Sequence, residues 1–218
     1  MAQLVDPAVE RYAAEHTTGF EGQIDAAVRW TQSNTAAPGM MAGLAEARLL
    51  EALAVSSRAM RVLEIGTFTG VGALSVAAAL PPGGSVITLE IDEANAAAAR
   101  RHIDASPHSD RIELIVGDAK ETLASLKGPF DLVWIDAWKA DYPAYYELVV
   151  PKLAPAGIIA ADNLFRDGAT LDPAVEDAST EGIRAFARQV QEDTRMHNVL
   201  LTIGDGVMLA WRRSDPTH

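Results

Sequence analysis

The stretch that most constrains this chain is Arg61 to Gly72, R-V-L-E-I-G-T-F-T-G-V-G. Val62, Leu63 and Ile65 read as a short strand buried on both faces. Gly66, Gly70 and Gly72 then allow a tight turn and a close approach of ligand to backbone. From Val71 an Ala-rich stretch reads as a helix that stops at Pro81-Pro82. Strand, glycine turn and helix form the unit with which an open α/β sheet builds a ligand crevice at the carboxyl ends of its strands. The next strand, Val86 to Glu90, ends in a carboxylate at the spacing where such folds hold a ribose hydroxyl.

The glycine spacing narrows the ligand. A pyrophosphate-binding fingerprint needs G-x-G-x-x-G, and counting from Gly66 its second and third glycines would fall at Phe68 and Val71. Glu64, just before the turn, suits a cationic ligand better than a pyrophosphate. A turn that binds nothing remains the alternative at this point.

With 218 residues, 49% of them hydrophobic, the chain is expected to form one domain over 1–218, its first 37 residues a helical cap or dimer segment. It has no cysteine, which excludes disulfides, thiolate metal sites and a cysteine nucleophile. A net charge of −12 without a lysine-arginine cluster argues against a nucleic-acid partner. With no signal-like N-terminus and no apolar run of spanning length, no membrane partner is expected, and the cytoplasm is the expected compartment.

Helices are expected over Pro7 to Gln32, broken at Thr17-Thr18-Gly19, with Val9, Tyr12, Ala13 and His16 on one face. A lone His16 reads as a surface or packed residue. Another helix runs from Met40 to about Val55, and the Met40-Met41 pair suits core packing. Further helices are expected over Glu93–Asp104 with Asp92 as cap, Ala119–Leu126, Pro143–Leu153 and Glu181–Asp193. Asp118 either caps its helix or accepts from an adenine amino group. Strands are expected at Arg111–Val116, Phe130–Ile135, Gly157–Ala161, Val199–Ile203 and Val207–Trp211, the last two flanking a Gly204-Asp205-Gly206 hairpin. The fold class is therefore α/β: a Rossmann-like, seven-stranded, mostly parallel sheet with helices on both faces and a C-terminal antiparallel hairpin strand. Residues 165–180 read as a long polar loop.

Two strand ends carry a second constellation. One strand ends W-I-D-A-W-K, giving Asp136, Trp138 and Lys139; the next ends A-A-D-N, giving Asp162 and Asn163. Three oxygen donors at one sheet edge suit a hard divalent cation, and magnesium would keep several positions open.

E-x-G followed by a strand ending in Glu, then D-x-W-K and a D-N pair, resembles the cation-dependent O-methyltransferases that use S-adenosylmethionine (SAM), the catechol and caffeoyl-CoA enzymes among them. The resemblance covers about Pro38 to Trp211 and includes the Gly-Asp-Gly hairpin of bacterial members. It implies that Asp136, Asp162 and Asn163 hold the metal, magnesium first, with calcium or manganese as alternatives. It makes Lys139 the catalytic lysine, acting with Asp136. It assigns Glu64, Gly66, Thr67, Gly72 and Glu90 to SAM contacts, with backbone from Ala42. Asp118 and Ala119 would lie near the adenine, and Asp136 would border the same pocket. A homodimer is implied by the resemblance and by the apolar N-terminal helices. Trp138 matches the catechol type, whose tryptophan walls the substrate pocket, whereas plant caffeoyl-CoA enzymes have an acidic residue there. Gly72 stands where many relatives have Ser, and no late glutamate matches the one catechol enzymes use on the second hydroxyl.

The chemistry agrees with this reading. Methyl transfer from a sulfonium to oxygen is an in-line displacement governed by positioning. A phenol with a pKa of about 10 needs a nearby cation or base to become a good nucleophile at neutral pH. The expected partner is a small vicinal diol, catechol-like or hydroxycinnamoyl-like. A nicotinamide dehydrogenase or a non-catalytic SAM-binding protein are the competing readings.

Overall fold

A computed structural model describes residues 5–213. Its seven-stranded sheet has the order β3-β2-β1-β4-β5-β7-β6, with β1 Arg61–Ile65, β2 Ser85–Glu90, β3 Ile112–Val116, β4 Phe130–Ile135, β5 Leu153–Ala161, β6 Met196–Leu201 and β7 Val207–Arg212. The first five strands are parallel, and β7 runs antiparallel to both neighbours. Strand order reverses between β1 and β4, which is where doubly wound sheets open a crevice.

Alternation along the central strands divides the core. Leu63, Ile65, Val133 and Ile135 face a layer containing Tyr142, Tyr146, Ile183 and Phe186. Val62, Leu132 and Trp134 face Leu50, Ala73 and Val76. A period of two puts Glu64 on the second face, paired in register with Trp134.

The helices are α1 Pro7–Glu15, α2 Gly22–Asn34, α3 Leu44–Ser56, α4 Val71–Ala79, α5 Glu93–Asp104, α6 Ala119–Ser125, α7 Tyr142–Val149 and α8 Ala178–Glu192. Helix α4 is apolar all round because α2 and α3 cover the side turned away from the sheet. Its first residue follows Gly70 at φ 92°, a left-handed conformation.

Several boundaries moved for identifiable reasons. The helix expected from Met40 starts at Leu44, because Pro38–Met40 forms a separate 3₁₀ turn and Gly43 is extended. Strand β5 begins at Leu153 rather than Gly157, passing through Pro155 where the register with β4 is irregular. Helix α8 begins at Ala178, inside the expected loop, because Asp177 caps it through the Ser179 and Thr180 N–H groups. The face expected on α1 is not a packed one: none of its residues is buried, and Val9 and Tyr12 are exposed. His16 is also exposed. The first four residues of the expected N-terminal segment lie outside the described residues. Among the described residues, no helix is long and apolar enough to cross a membrane.

Candidate active site

Every residue assigned above to SAM, metal or catalysis lines a single cavity of about 870 Å³ at the carboxyl ends of β1, β2 and β4. These are Ala42, Glu64, Gly66, Thr67, Gly72, Glu90, Asp118, Ala119, Asp136, Lys139, Asp162 and Asn163, whereas Gly70 of the glycine turn does not line it. The common edge follows from the topology, since parallel neighbours end together.

The glycine turn is held from both sides. The Gly66 and Thr67 N–H groups donate to the Leu89 carbonyl at 2.9 and 3.1 Å. The Asp136 N–H donates to the Ile65 carbonyl at 2.9 Å. Gly66 has φ 103°, and a Cβ there would lie 2.0 Å from the Asp136 carbonyl oxygen. Glu90 accepts from the Phe68, Ile91 and Asp92 N–H groups at 2.7, 3.0 and 2.9 Å, so it fastens the turn after β1 to the end of β2. Phe68 has a left-handed φ of 50°, and this charge-assisted bond helps to hold it there. Thr88, between them, donates to Glu64 and is hydrogen-bonded to the Thr67 hydroxyl at 2.5 Å.

Glu64 is 4% exposed. Burial pushes its carboxyl up to about 8, against the Thr88 hydrogen bond, with the charges of Asp136 and Glu90 adding to the rise. A Cβ on Gly72 would meet Glu64 Oε1 at 2.1 Å, so the absence of a side chain there makes room for this carboxyl. Asp118 caps α6, accepting from the Lys120 N–H at 2.7 Å, while lining the cavity. Trp138 and Met40 line the cavity as exposed rim, so packing does not account for Met40. Met41 lines the cavity as well, and packs against the Val71 and Leu74 cluster.

Asp136 and Asp162 follow directly on the paired residues Ile135 and Ala161. The Asp162 N–H donates to the Ile135 carbonyl at 3.0 Å, which locks the two strand ends in register. Asp162 is buried, and its carboxyl is held above the ordinary range by burial first and then by the charge of Asp136. Lys139 Nζ donates to Asp136 Oδ1 at 2.6 Å and to the Tyr142 hydroxyl at 3.0 Å. Tyr142 is fully buried and packs edge-on against Phe186, giving the lysine a rigid floor. Asn163 has φ 61°, a conformation asparagine tolerates better than most residues. Among the described residues no group of three or more His, Asp or Glu side chains is placed to hold a metal ion. The metal-type donors at this edge are two carboxylates and one amide.

Two acidic neighbours were missed by sequence reasoning. Glu46 on α3 has its carboxyl raised by burial first, with Asp136 and Asp205 adding to the rise. In the sequence it occupies a helical position between alanines and reads as a solvated face. Asp205, read only as a hairpin residue, clamps the loop after Asn163. Its carbonyl accepts from the Phe165 N–H at 2.8 Å and its Oδ1 from the Asp167 N–H at 2.7 Å. The Gly206 carbonyl accepts from the Leu164 N–H at 3.0 Å.

This acidic site implies a pH dependence. Glu46, Glu64, Asp162 and Asp205 all have raised carboxyl pKa values. The native chain then holds protons that the unfolded chain releases, and this stabilisation is lost as pH rises through the folded pKa values. Asp177 and Asp193 are shifted the other way, and their contributions are already complete above pH ~5. The melting temperature of the ligand-free protein is therefore expected to fall from pH ~5 to pH ~8.5. Scanning calorimetry at constant ionic strength checks this; a rise over that window would mean that the carboxyls are ordinary.

The O-methyltransferase family model matches residues 15–213. A catechol O-methyltransferase of Niastella koreensis is 30% identical over 96% of this chain and 99% of its own length. Among solved structures, the O-methyltransferase TomG of Streptomyces achromogenes, involved in tomaymycin synthesis and determined in complex with SAM, has a TM-score of 0.87 at 28% identity. That match covers 95% of this chain and 96% of TomG. An O-methyltransferase of Bacillus cereus determined with S-adenosylhomocysteine has a TM-score of 0.86 at 28% identity, covering 94% and 97%. Together with a cavity at the strand-order reversal, these matches place the chain in the O-methyltransferase family.

Proposed function

We propose that this enzyme transfers a methyl group from SAM to one hydroxyl of a small vicinal diol, with a divalent cation held by Asp136, Asp162 and Asn163. The observation that carries the reading is the pair of carboxylates at the ends of adjacent strands, Asp162 buried and Asp136 half-buried, with the charge of Asp136 felt by Asp162 and Lys139 set beside them. The donor set fits the cation: all three groups offer hard oxygen, and a divalent charge would offset both the burial that chiefly raises Asp162 and the repulsion from Asp136 that adds to it. The cation supplies positive charge that favours the ionised form of a diol hydroxyl.

The chain's own residues supply the rest. Glu90 sets a carboxylate along the donor half of the cavity, suited to a ribose, and the buried Glu64 carboxyl adds an acceptor whose ionised form a cationic sulfonium ligand would favour. The Gly66 turn brings backbone close to that ligand. Lys139, positioned by Asp136 and Tyr142, would act as the base in its neutral amine form, giving up its own proton to solvent first and then taking the one released by the reacting hydroxyl. Trp138 and Met40 form an apolar rim against which a planar ring can lie.

The test is SAM-dependent methylation of catechol with and without a chelator. Activity is expected to fall at least about 100-fold in excess chelator and to return with magnesium. Unchanged turnover in chelator would remove the cation from the proposal. SAM binding without methylation across a panel of diols would favour a non-catalytic role.

A further inference from the structure

Among the described residues lining the cavity, only Lys139 and Arg166 are basic, against eight carboxylates. Lys139 is already held by Asp136. Arg166 is not held in the same way. Its one ion pair among the described residues is a 3.4 Å approach to Asp177, longer than a normal N–H···O bond. Asp177 meanwhile accepts from the Ser179 and Thr180 N–H groups at 3.1 Å each and from the Thr180 hydroxyl at 2.7 Å. These bonds, with Arg166 adding to them, hold its carboxyl below the ordinary range. Asp177 is thus satisfied without Arg166, while a guanidinium with five donors faces the cavity with its hydrogen-bonding capacity unspent.

The backbone beneath Arg166 is fixed. Arg166 and Asp167 have left-handed φ values of 47° and 53°. The Asp205 clamp holds the N–H groups on either side of Arg166. Such conformations persist only where their surroundings enforce them. Three residues after Asn163, the chain therefore presents a planar cation from a rigid loop. Ser179 adds a second donor. It is 7% exposed and lines the same cavity, its N–H is taken by Asp177, and its hydroxyl has no partner among the described residues.

We propose that Arg166, with the Ser179 hydroxyl, selects aromatic vicinal diols that also carry a carboxylate. The proposal rests on the diol reading above and names the substrate class within it. A guanidinium meets a carboxylate through two parallel hydrogen bonds. In a cavity whose only other basic side chain among the described residues, Lys139, is held by Asp136, an anionic substrate needs such a counter-charge, and a neutral diol does not. Arg166 is a specificity residue, and the diol oxygens are handled elsewhere.

The experiment compares 3,4-dihydroxybenzoate with unsubstituted catechol as methyl acceptors for the wild type and Arg166→Met. The variant is expected to lower kcat/KM for the acid by about 10- to 100-fold, mainly through KM, and to leave catechol within about twofold. Ser179→Ala is expected to cost about 3- to 10-fold for the acid alone. Equal losses on both substrates would mean that Arg166 only latches its loop to Asp177, and an unchanged acid would mean that it contacts no substrate; either result overturns the proposal. If the wild type methylated neither compound, the diol function itself would fail. Calorimetric binding of the acid in the presence of S-adenosylhomocysteine and magnesium would still decide the role of Arg166. Weaker binding to Arg166→Met would support it; equal affinities or no binding to either form would refute it.

Discussion

Asp162→Ala is expected to lower kcat by about 1,000-fold, equivalent to ~4 kcal/mol of lost transition-state stabilisation. The side chain is buried at the end of β5 and shares its edge with Asp136. Among the described residues no hydrogen bond links its side chain to Glu64, Glu90 or the Gly66 turn, which line the proposed donor half of the cavity. SAM affinity, measured by calorimetry, should therefore change by less than about fivefold. Removing one of two repelling carboxyls should also leave the ligand-free protein at least as stable at pH ~8 as the wild type. A variant with full activity would contradict the metal assignment. One that lost SAM binding along with turnover would place Asp162 on the donor instead.

Gly66→Ala acts on the other half and through the backbone. The added methyl would sit 2.0 Å from the Asp136 carbonyl oxygen, at a φ of 103° that L-residues rarely adopt. Neither can relax cheaply, because Gly66 and Asp136 are both tied to neighbouring strands. A loss of about 3–5 kcal/mol is expected, or roughly 6–20 °C in melting temperature for a chain of this size, together with loss of SAM binding. Gly39→Ala is the control. It lines the same cavity with open space around its Cβ and no positive φ, and should stay within about 0.5 kcal/mol of the wild type. Similar melting curves for the two variants would show that the turn can shift to admit a side chain.

How much of this was legible in the sequence depended on how local the signal was. Strands β1 and β4 were readable to within a residue, because a doubly buried strand in a parallel sheet is a short apolar run with polar ends. Helix α5 was readable because Asp92 caps it. The residues of the glycine turn and of the D-x-W-K and D-N pairs all reached one cavity, since parallel strands end at the same edge. What was not legible depended on distant contacts. Glu46 becomes part of the acidic cluster only because α3 packs beneath the hairpin, where a Cβ on Gly204 would collide with its carboxylate. The start of α8 was hidden by the acidic run before it, in which Asp177 looks no different from Glu176 until its side chain meets two N–H groups. Arg166 reads as one charge in a polar loop until Asp205, 39 positions later, fixes the backbone on which it stands.

The sheet order has a consequence for vectorial synthesis. Strand β6 is made before β7 but touches the sheet only through it, so on the ribosome it has no ladder to join until β7 emerges. The turn between them also carries Asp205, the anchor for the segment after Asn163. A nascent chain stalled before Val207 would hold β1, β2 and β4, at whose ends the proposed methyl-donor half lies, while the segment after Asn163 lacked its anchor. On the proposed reading, competence for transfer waits for β7, the strand that brings both β6 and the Asp205 turn to the sheet.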